Sequence, residues 1–235
     1  MNDNFIQHIR IGWNHIEPDS YLRKIPALKR LERLDFHCPV TFFVGENGSG
    51  KSTLLEAMAV AFGFNPEGGT KNYHFSTYDS HSELCDAMFL AKSYLRPKWG
   101  YFLRAESFYN VATKEEEYNT GQFLHHMSHG ESFLSATQEQ LRPNSIYFFD
   151  EPEVALSPQR QLTLLMEIHR CAKEGSQFFI ATHSPILLGM PGAEILSFDQ
   201  GEIHPISYEE TESYRVTEMF LRNREQILNQ LLQDI

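Results

Sequence analysis

The residues best suited to chemistry lie at positions 45–52, which read Gly-Glu-Asn-Gly-Ser-Gly-Lys-Ser. They have the spacing of a phosphate-binding loop, a glycine and four residues followed by Gly-Lys-Ser. Glycines allow backbone turns that point successive N–H groups inward, and the helix that follows adds positive potential at its N-terminus. The pattern predicts that Lys51 reaches the β- and γ-phosphates of a nucleotide and that Ser52 ligates Mg²⁺. The other residues predicted to bind the nucleotide here are Asn47, Gly48, Ser49, Gly50 and Thr53.

The segments on either side of this loop have the context that a phosphate-binding loop requires. Val40–Val44 is an apolar run that predicts a buried strand, and residues 52–62 are rich in helix-forming Leu, Ala and Met. The order is therefore strand, loop, helix, so the match is more than a glycine-rich turn.

Two acidic residues end a second apolar run, at residues 145–149. The carboxyl ends of parallel strands face the ligand crevice, so Asp150 is predicted to bind Mg²⁺ opposite Ser52. Glu151 is placed to orient or deprotonate an attacking water. His183 follows a third apolar run in the same way and is a candidate contact to the γ-phosphate.

Apolar strands alternate with helical segments, which predicts an α/β fold with a mostly parallel sheet covered by helices on both faces. The chain is interpreted as one domain, 1–235, with a small helical lobe at about 63–140 that carries part of the site. The remaining predictions are strands at 5–11, 99–109 and 177–181, helices at 80–95, 159–173 and 216–232, a loop or short helix leading to a strand at 20–36, and a hairpin at 194–206 that turns at 199–201.

Composition narrows the class of protein. The net charge of −11 disfavours strong non-specific binding of nucleic acid by the chain alone. Three cysteines, far apart and odd in number, favour a reducing cytoplasm over a disulfide framework. No apolar run approaches the length of a membrane helix, and the N-terminus lacks the pattern of a secretory signal, so we expect no membrane insertion.

Taken together, these motifs resemble the ATPase domains of the ATP-binding-cassette superfamily. The resemblance is greatest to the soluble Rad50, SMC and RecF branch, and within it to small stand-alone bacterial predicted ATPases of the AAA family. Residues 45–52 match the Walker A loop, 146–151 match Walker B with the catalytic glutamate, 127–131 match the family signature, and His183 matches the switch histidine. The order of the motifs is more specific than any one of them.

This resemblance implies a P-loop NTPase fold with antiparallel N-terminal strands beside the parallel sheet. It also implies Mg²⁺-dependent ATP hydrolysis by a homodimer that sandwiches two ATP molecules between head-to-tail protomers. Lys51, Glu151 and His183 would then be catalytic, and Ser128, Gly130 and Glu131 would face the γ-phosphate of the opposite subunit.

Some positions depart from the family pattern. His129 replaces the first signature glycine, Glu131 the usual glutamine, and Ser157 the aspartate that is common in the D-loop. Glu106 lies where the Q-loop residue belongs and is a candidate Mg²⁺ ligand. Either Tyr21 or Trp13 is a candidate for stacking on adenine, although both residue types are common in cores.

Several alternatives stay open at this stage. His125, His126 and His129 have spacing that a metal site could use, but the sequence nearby offers no Cys or Asp partner, so the signature assignment explains them better. The leading interpretation of function is a mechanochemical ATPase in DNA maintenance or bacterial defence, with an effector protein as partner. The cytosolic ATP-binding subunit of a transporter is the main alternative, and a nucleotide switch with negligible turnover is the third.

Overall fold

The computed structural model describes residues 3–71, 82–104 and 129–232, and of residues 129–132 only the backbone is described. The strands in these ranges are β1 (Ile6–Ile11), β2 (Arg33–Asp35), β3 (Val40–Val44), β4 (Gly69–Thr70), β5 (Met88–Lys92), β6 (Trp99–Arg104), β7 (Ser145–Asp150), β8 (Gln177–Ala181), β9 (Glu194–Ser197) and β10 (His204–Pro205). The α-helices are α1 (Lys51–Phe62), α2 (His129–Gln140), α3 (Pro158–Lys173), α4 (Pro185–Leu188) and α5 (Glu212–Leu232).

The central sheet has the spatial order β10-β9-β3-β8-β7-β6-β4 within the described residues. Strands β9, β3, β8, β7 and β6 are parallel, whereas β10 and β4 pair antiparallel at the two edges. A smaller antiparallel sheet has the order β2-β1-β5. The predicted fold class is confirmed: a mostly parallel sheet with helices, accompanied by antiparallel N-terminal strands.

The inner strands are apolar throughout because both faces of the sheet are covered. Side chains alternate along a strand, so Phe43, Phe148 and Phe179 belong to the core that contains α1. The residues next to these in the chain, such as Phe178, point to the opposite face of the sheet. They belong to a second core, which contains α3 and α4. The rings of Phe148 and Phe179 stack at 5.4 Å between centroids, which ties β7 to β8 directly. This packing fixes the positions of the strand ends that carry the candidate site.

Most of the other predicted elements are present in the structure. The loop and short helix before β2, the helix at 159–173 and the hairpin turning at 199–201 are confirmed. The final helix is also confirmed; it is kinked at Asn223 and begins at Glu212, before the predicted start. The strand at 99–109 is described only as far as Arg104. In the described ranges, no helix is long and apolar enough to cross a membrane.

The predicted helix at 80–95 is wrong. Its second half forms β5, which pairs antiparallel with β1, with Ile9 opposite Leu90. The apolar residues that suggested a helical face, Leu84 and Ala87, are buried through turns instead. Hydrogen bonding to the free edge of β1 overrides local helical periodicity here. The lobe proposed for residues 63–140 therefore includes strands β4, β5 and β6, and residues 72–81 and 105–128 of it lie outside the described residues.

Candidate active site

The phosphate-binding loop connects β3 to α1 and depends on glycine at particular positions. Gly45, Gly48 and Gly50 all have positive φ angles, of 143°, 80° and 103°. A Cβ atom at Gly50 would lie 2.8 Å from the side chain of Ile25, so glycine is required there by both conformation and space. Ser49 Oγ is buried inside the loop without a hydrogen-bond partner in the described part of the chain. An orphan hydroxyl of this kind suits a loop that binds a polar ligand.

The N-terminus of α1 opens directly into this loop. Its N-cap is Gly50, so no side chain caps the first turn, where Lys51, Ser52 and Thr53 lie. The N–H groups of a first helical turn have no partners within the helix, and the helix dipole adds positive potential there. The start of α1 is therefore suited to an anion such as phosphate.

Lys51 is folded back into the loop and is only 4% exposed. Its Nζ donates to the carbonyl oxygens of Gly45, at 2.6 Å, and Glu46, at 2.9 Å. Burial lowers the pKa of Lys51, and nearby carboxylates, chiefly that of Glu151 and then that of Asp199, partly oppose this effect. The ammonium group is thus held at the loop by weak neutral acceptors and by charge, an arrangement that a phosphate oxygen can replace.

Ser52 and Asp150 meet as predicted. The Ser52 hydroxyl donates to Asp150 Oδ1 at 2.8 Å, although the two residues are 98 positions apart. The contact joins the first turn of α1 to the carboxyl end of β7. A hydroxyl and a carboxylate side by side are oxygen ligands of the type that Mg²⁺ prefers. The residues present therefore fit the ion that the motif implies.

Glu151 and His183 follow adjacent strands, β7 and β8. Asp150 pairs with Ala181 in register, and the Glu151 N–H donates to the Ala181 carbonyl at 2.9 Å. Glu151 has a φ of +50°, a conformation that residues other than glycine rarely adopt and that clusters at active sites. The His183 side chain is exposed at the same edge of the sheet.

Some predicted site residues cannot be placed. Glu106 and Ser128 lie outside the described residues, and Gly130 and Glu131 are described only as backbone of α2. Arg104, the last described residue of β6, is opposite Asp150 in register and forms an ion pair with Glu56 of α1 at 2.7 Å. The roles of Glu106 and of the signature residues therefore stay predictions.

The alternative roles for aromatic and histidine residues can be compared with the structure. Tyr21 is 54% exposed, whereas the indole N–H of the half-buried Trp13 is used in a hydrogen bond to the Leu31 carbonyl at 2.9 Å. The geometry leaves Tyr21 freer to stack on a base. Among the described side chains there is no cluster of three or more His, Cys, Asp or Glu suited to a metal ion. His125, His126 and the side chain of His129 lie outside the described part of the structure.

Two carboxylates at this edge escaped the sequence reasoning. Asp199, two residues beyond the end of β9, accepts a hydrogen bond from the Glu46 N–H at 3.0 Å. Glu153, two residues beyond Glu151, accepts one from the His183 N–H at 2.6 Å. The sequence indicates Asp199 only as part of a turn, although a carboxylate just after a strand of the same sheet is a usable signal. Glu153 was overlooked because it lies outside the Asp-Glu pair.

An open cleft of about 1050 Å³ borders the loop on the side of β9. Gly45, Glu46, His183 and Asp199 are among its lining residues, whereas Lys51 and Ser52 are not. The cleft therefore adjoins the phosphate-binding loop rather than containing it.

A family model described as an AAA domain matches residues 21–164, which include the loop and the Asp150–Glu151 pair. Two solved structures are also similar. The SMC head domain from Thermotoga maritima is 15% identical, with a TM-score of 0.46 and coverage of 87% of this chain and 100% of its own. An inward-facing conformation of a metal-chelate type ABC transporter is 16% identical, with a TM-score of 0.42 and 76% coverage of each chain. No curated protein matches the sequence.

Proposed function

Because the chain belongs to the AAA domain family and is a P-loop ATPase, we propose that it hydrolyses ATP with Mg²⁺ as an ATP-sandwiched homodimer. The observation that carries the proposal is the 2.8 Å contact between Ser52 Oγ and Asp150 Oδ1. It brings a phosphate-loop hydroxyl and a strand-end carboxylate to one point, next to the uncapped start of α1.

Each residue has a stated role in this proposal. Ser52 and Asp150 would hold Mg²⁺, which neutralises charge on the β- and γ-phosphates when bound. Lys51 leaves the carbonyls of the loop for the phosphate oxygens. Glu151 orients the attacking water and accepts its proton, and His183 contacts the γ-phosphate.

The dimer is proposed because one chain supplies only one copy of each motif. The signature residues, Ser128, Gly130 and Glu131, would face the γ-phosphate bound to the opposite protomer. We further propose that the cycle does mechanical work in DNA maintenance or bacterial defence with an effector protein, since the motif order resembles that of the Rad50, SMC and RecF group. The three cysteines are free thiols, which supports a reducing cytoplasm as the location.

Nucleotide binding is tested first, with Lys51→Ala. This change removes the main cation of the loop, so calorimetry with Mg-ATP should show binding for the wild-type protein and none for the variant. If Lys51→Ala binds ATP as tightly as the wild type does, the assignment of the loop is wrong.

Hydrolysis and assembly are tested with Glu151→Gln, which keeps the size of the side chain and removes its charge. ATP should still bind, while turnover falls by about 10²-fold or more because no carboxylate remains to accept the proton. The trapped ATP should then favour the closed dimer by its differential affinity for that form. Light scattering after size exclusion should show a dimer with ATP and a monomer without it.

Two controls make the dimer experiment specific. Glu202→Gln alters an exposed glutamate that lies outside the proposed catalytic group, and it should leave turnover unchanged. Adding Ser128→Arg to Glu151→Gln puts a bulky side chain where the signature must approach the phosphate, so that protein should bind ATP and stay monomeric. A Glu151→Gln protein that is monomeric at saturating ATP, or a dimer indifferent to Ser128→Arg, would refute the sandwich.

Nucleic acid is expected to be a weak ligand of the isolated chain. A net charge of −11 gives little electrostatic attraction to a polyanion. Fluorescence anisotropy with labelled DNA should show weak binding without ATP, and at most modest, salt-sensitive binding with it. Tight binding by the ATP-free monomer at physiological salt would contradict this expectation.

A further inference from the structure

Glu153 reaches from the segment after β7 to the loop that carries His183. Its Oε1 accepts the His183 N–H at 2.6 Å, a short hydrogen bond between residues 30 positions apart. The turn that carries Glu153 is itself fixed by main-chain bonds, from the Val154 N–H to the Glu151 carbonyl and from the Leu156 N–H to the Glu153 carbonyl. Glu153 is therefore anchored to the same turn as Glu151 while it holds the backbone of His183.

A second link runs parallel to the first. Gln161 of α3 donates to the Leu156 carbonyl at 3.0 Å and accepts from the Ser184 hydroxyl at 2.6 Å. Ser184 also caps α4, through the N–H groups of Ile186 and Leu187. The segment after β7 and the segment after β8 are thus tied together at His183 and again at the next residue, Ser184.

A purely structural role explains Glu153 poorly. Its Oε2 atom is buried and has no hydrogen-bond partner in the described ranges, so the carboxylate is only partly satisfied. Burial raises the pKa of Glu153, and the N–H groups of His183 and of Glu153 itself, together with the Thr182 side chain, only partly oppose that effect. Groups kept in an unfavourable environment beside a site are more typical of function than of stability.

The charge of Glu153 also acts on the phosphate-binding loop. Its charge is one of those that raise the pKa of Lys51 against the effect of burial. It therefore lies within electrostatic reach of the group assigned to the phosphates, while its hydrogen bond fixes the residue assigned to the γ-phosphate.

We propose that Glu153 is a positioning residue for His183. It fixes the loop after β8 that carries His183, the switch loop, relative to Glu151, so that His183 and Glu151 act on one phosphate. The proposal rests on the function proposed above. Ser157 occupies the position of the usual D-loop aspartate. The Glu153 bridge links the switch loop to the segment after β7 that contains Ser157, and it does so without that aspartate.

The decisive experiment is a double-mutant cycle with Glu153→Ala and His183→Ala. If Glu153 acts through His183, Glu153→Ala should lower kcat by about tenfold or more in the wild-type background, as expected for a lost hydrogen bond to a charged group. It should lower kcat by less than about twofold in the His183→Ala background, because the positioned side chain is already gone. Additive losses would overturn the proposal.

Three further measurements separate positioning from folding. Glu153→Gln keeps the acceptor oxygen and should retain most of the wild-type kcat. Val154→Ala, at a 67% exposed position in the same turn, should leave kcat unchanged. Hydrogen exchange of a peptide spanning residues 182–188 should quicken in Glu153→Ala and not in Val154→Ala, and this readout does not depend on turnover.

The outcomes also separate this proposal from the one on which it rests. A wild-type protein that binds and hydrolyses ATP while Glu153→Ala matches it in kcat and in exchange would overturn the positioning role alone. A wild-type protein without ATP turnover would overturn the proposed function and the positioning role with it.

Discussion

Asp199 offers a test in which two substitutions at one position should act in opposite directions. Its Oδ1 accepts the Glu46 N–H at 3.0 Å, and its Oδ2 lies 3.3 Å from the Ser197 hydroxyl. The first bond fixes the start of the phosphate-binding loop from β9. The same carboxylate also adds negative charge beside the site that must receive ATP, as its effect on the pKa of Lys51 indicates.

The hydrogen bond to the Glu46 N–H and the negative charge of Asp199 should change ATP affinity by different amounts. A hydrogen bond to a charged acceptor contributes about 1.5–3 kcal/mol, and half-buried Asp199 belongs at the low end of that range. Removing a partly screened charge near the phosphates returns about 0.5 kcal/mol. Asp199→Ala loses the bond and the charge, so ATP affinity should fall by about 1 kcal/mol, or about fivefold. Asp199→Asn keeps an acceptor oxygen and loses only the charge, so it should bind ATP at least as tightly as the wild type.

Calorimetry with Mg-ATP at two salt concentrations measures both effects. The Asn variant should show its gain chiefly at low salt, because screening reduces the repulsion that it removes. The loss in the Ala variant should persist at high salt, and Glu202→Ala, which removes an exposed carboxylate three residues further along the chain, serves as the control. If the Ala variant bound ATP as tightly as the Asn variant, the bond to the Glu46 N–H would not position the loop.

Three other predictions concern the scaffold. Gly100→Ala would place a Cβ atom 3.0 Å from the Ile146 carbonyl oxygen, so it should lower the free energy of unfolding by about 1–3 kcal/mol in urea titration. Tyr147→Phe removes the oxygen that accepts the Arg142 N–H at 2.6 Å and should lower the same quantity by about 1–2 kcal/mol. Lys71 is exposed as a whole, but its ammonium group lies over the Phe62 ring, 3.8 Å from the centroid. Desolvation of that group, with the charges of Lys92 and Arg96, lowers the pKa of Lys71 to about 8. Between that pH and the unfolded value of about 10.4 the unfolded chain therefore binds more protons. The wild type should therefore gain stability relative to Lys71→Gln as pH rises from 7 to 10, by less than about 1 kcal/mol for this exposed residue, and Tm values at the two pH values measure it.

The phosphate-binding loop and its partner carboxylate were predictable because their information is local. The Gly-Lys-Ser spacing specifies a loop, and an apolar run ending in acid specifies a strand end. Parallel strands bring such ends to one edge of a sheet, so the contact between Ser52 and Asp150 follows without knowledge of the strand order. Buried strands β3, β7 and β8 were equally clear, since an unbroken apolar run indicates burial on both faces.

What the sequence could not provide depends on contacts to distant backbone. The helical periodicity of residues 80–95 predicts a helix in place of β5, because it carries no sign of the free edge of β1. Asp199 and Glu153 both bind main-chain N–H groups, of Glu46 and His183, and a backbone acceptor or donor has no residue type that a spacing rule could detect. These two supporting carboxylates were therefore missed, whereas the contact between the loop residue Ser52 and the strand-end Asp150 was predicted.

The strand order places the loop after β8 between the two other parts of the candidate site. β8 lies between β3 and β7, so the segment after it is next to the phosphate-binding loop and next to the acidic strand end. The Thr182 N–H donates to the Phe43 carbonyl on one side, and the Ala181 carbonyl accepts the Glu151 N–H on the other. Since these bonds use main-chain atoms of rigid, buried strands, a shift of His183 toward a phosphate must either strain both neighbours or be confined to its own loop. The side-chain bridge from Glu153 is attached where that loop leaves the sheet, and it therefore restrains the loop relative to the turn after β7.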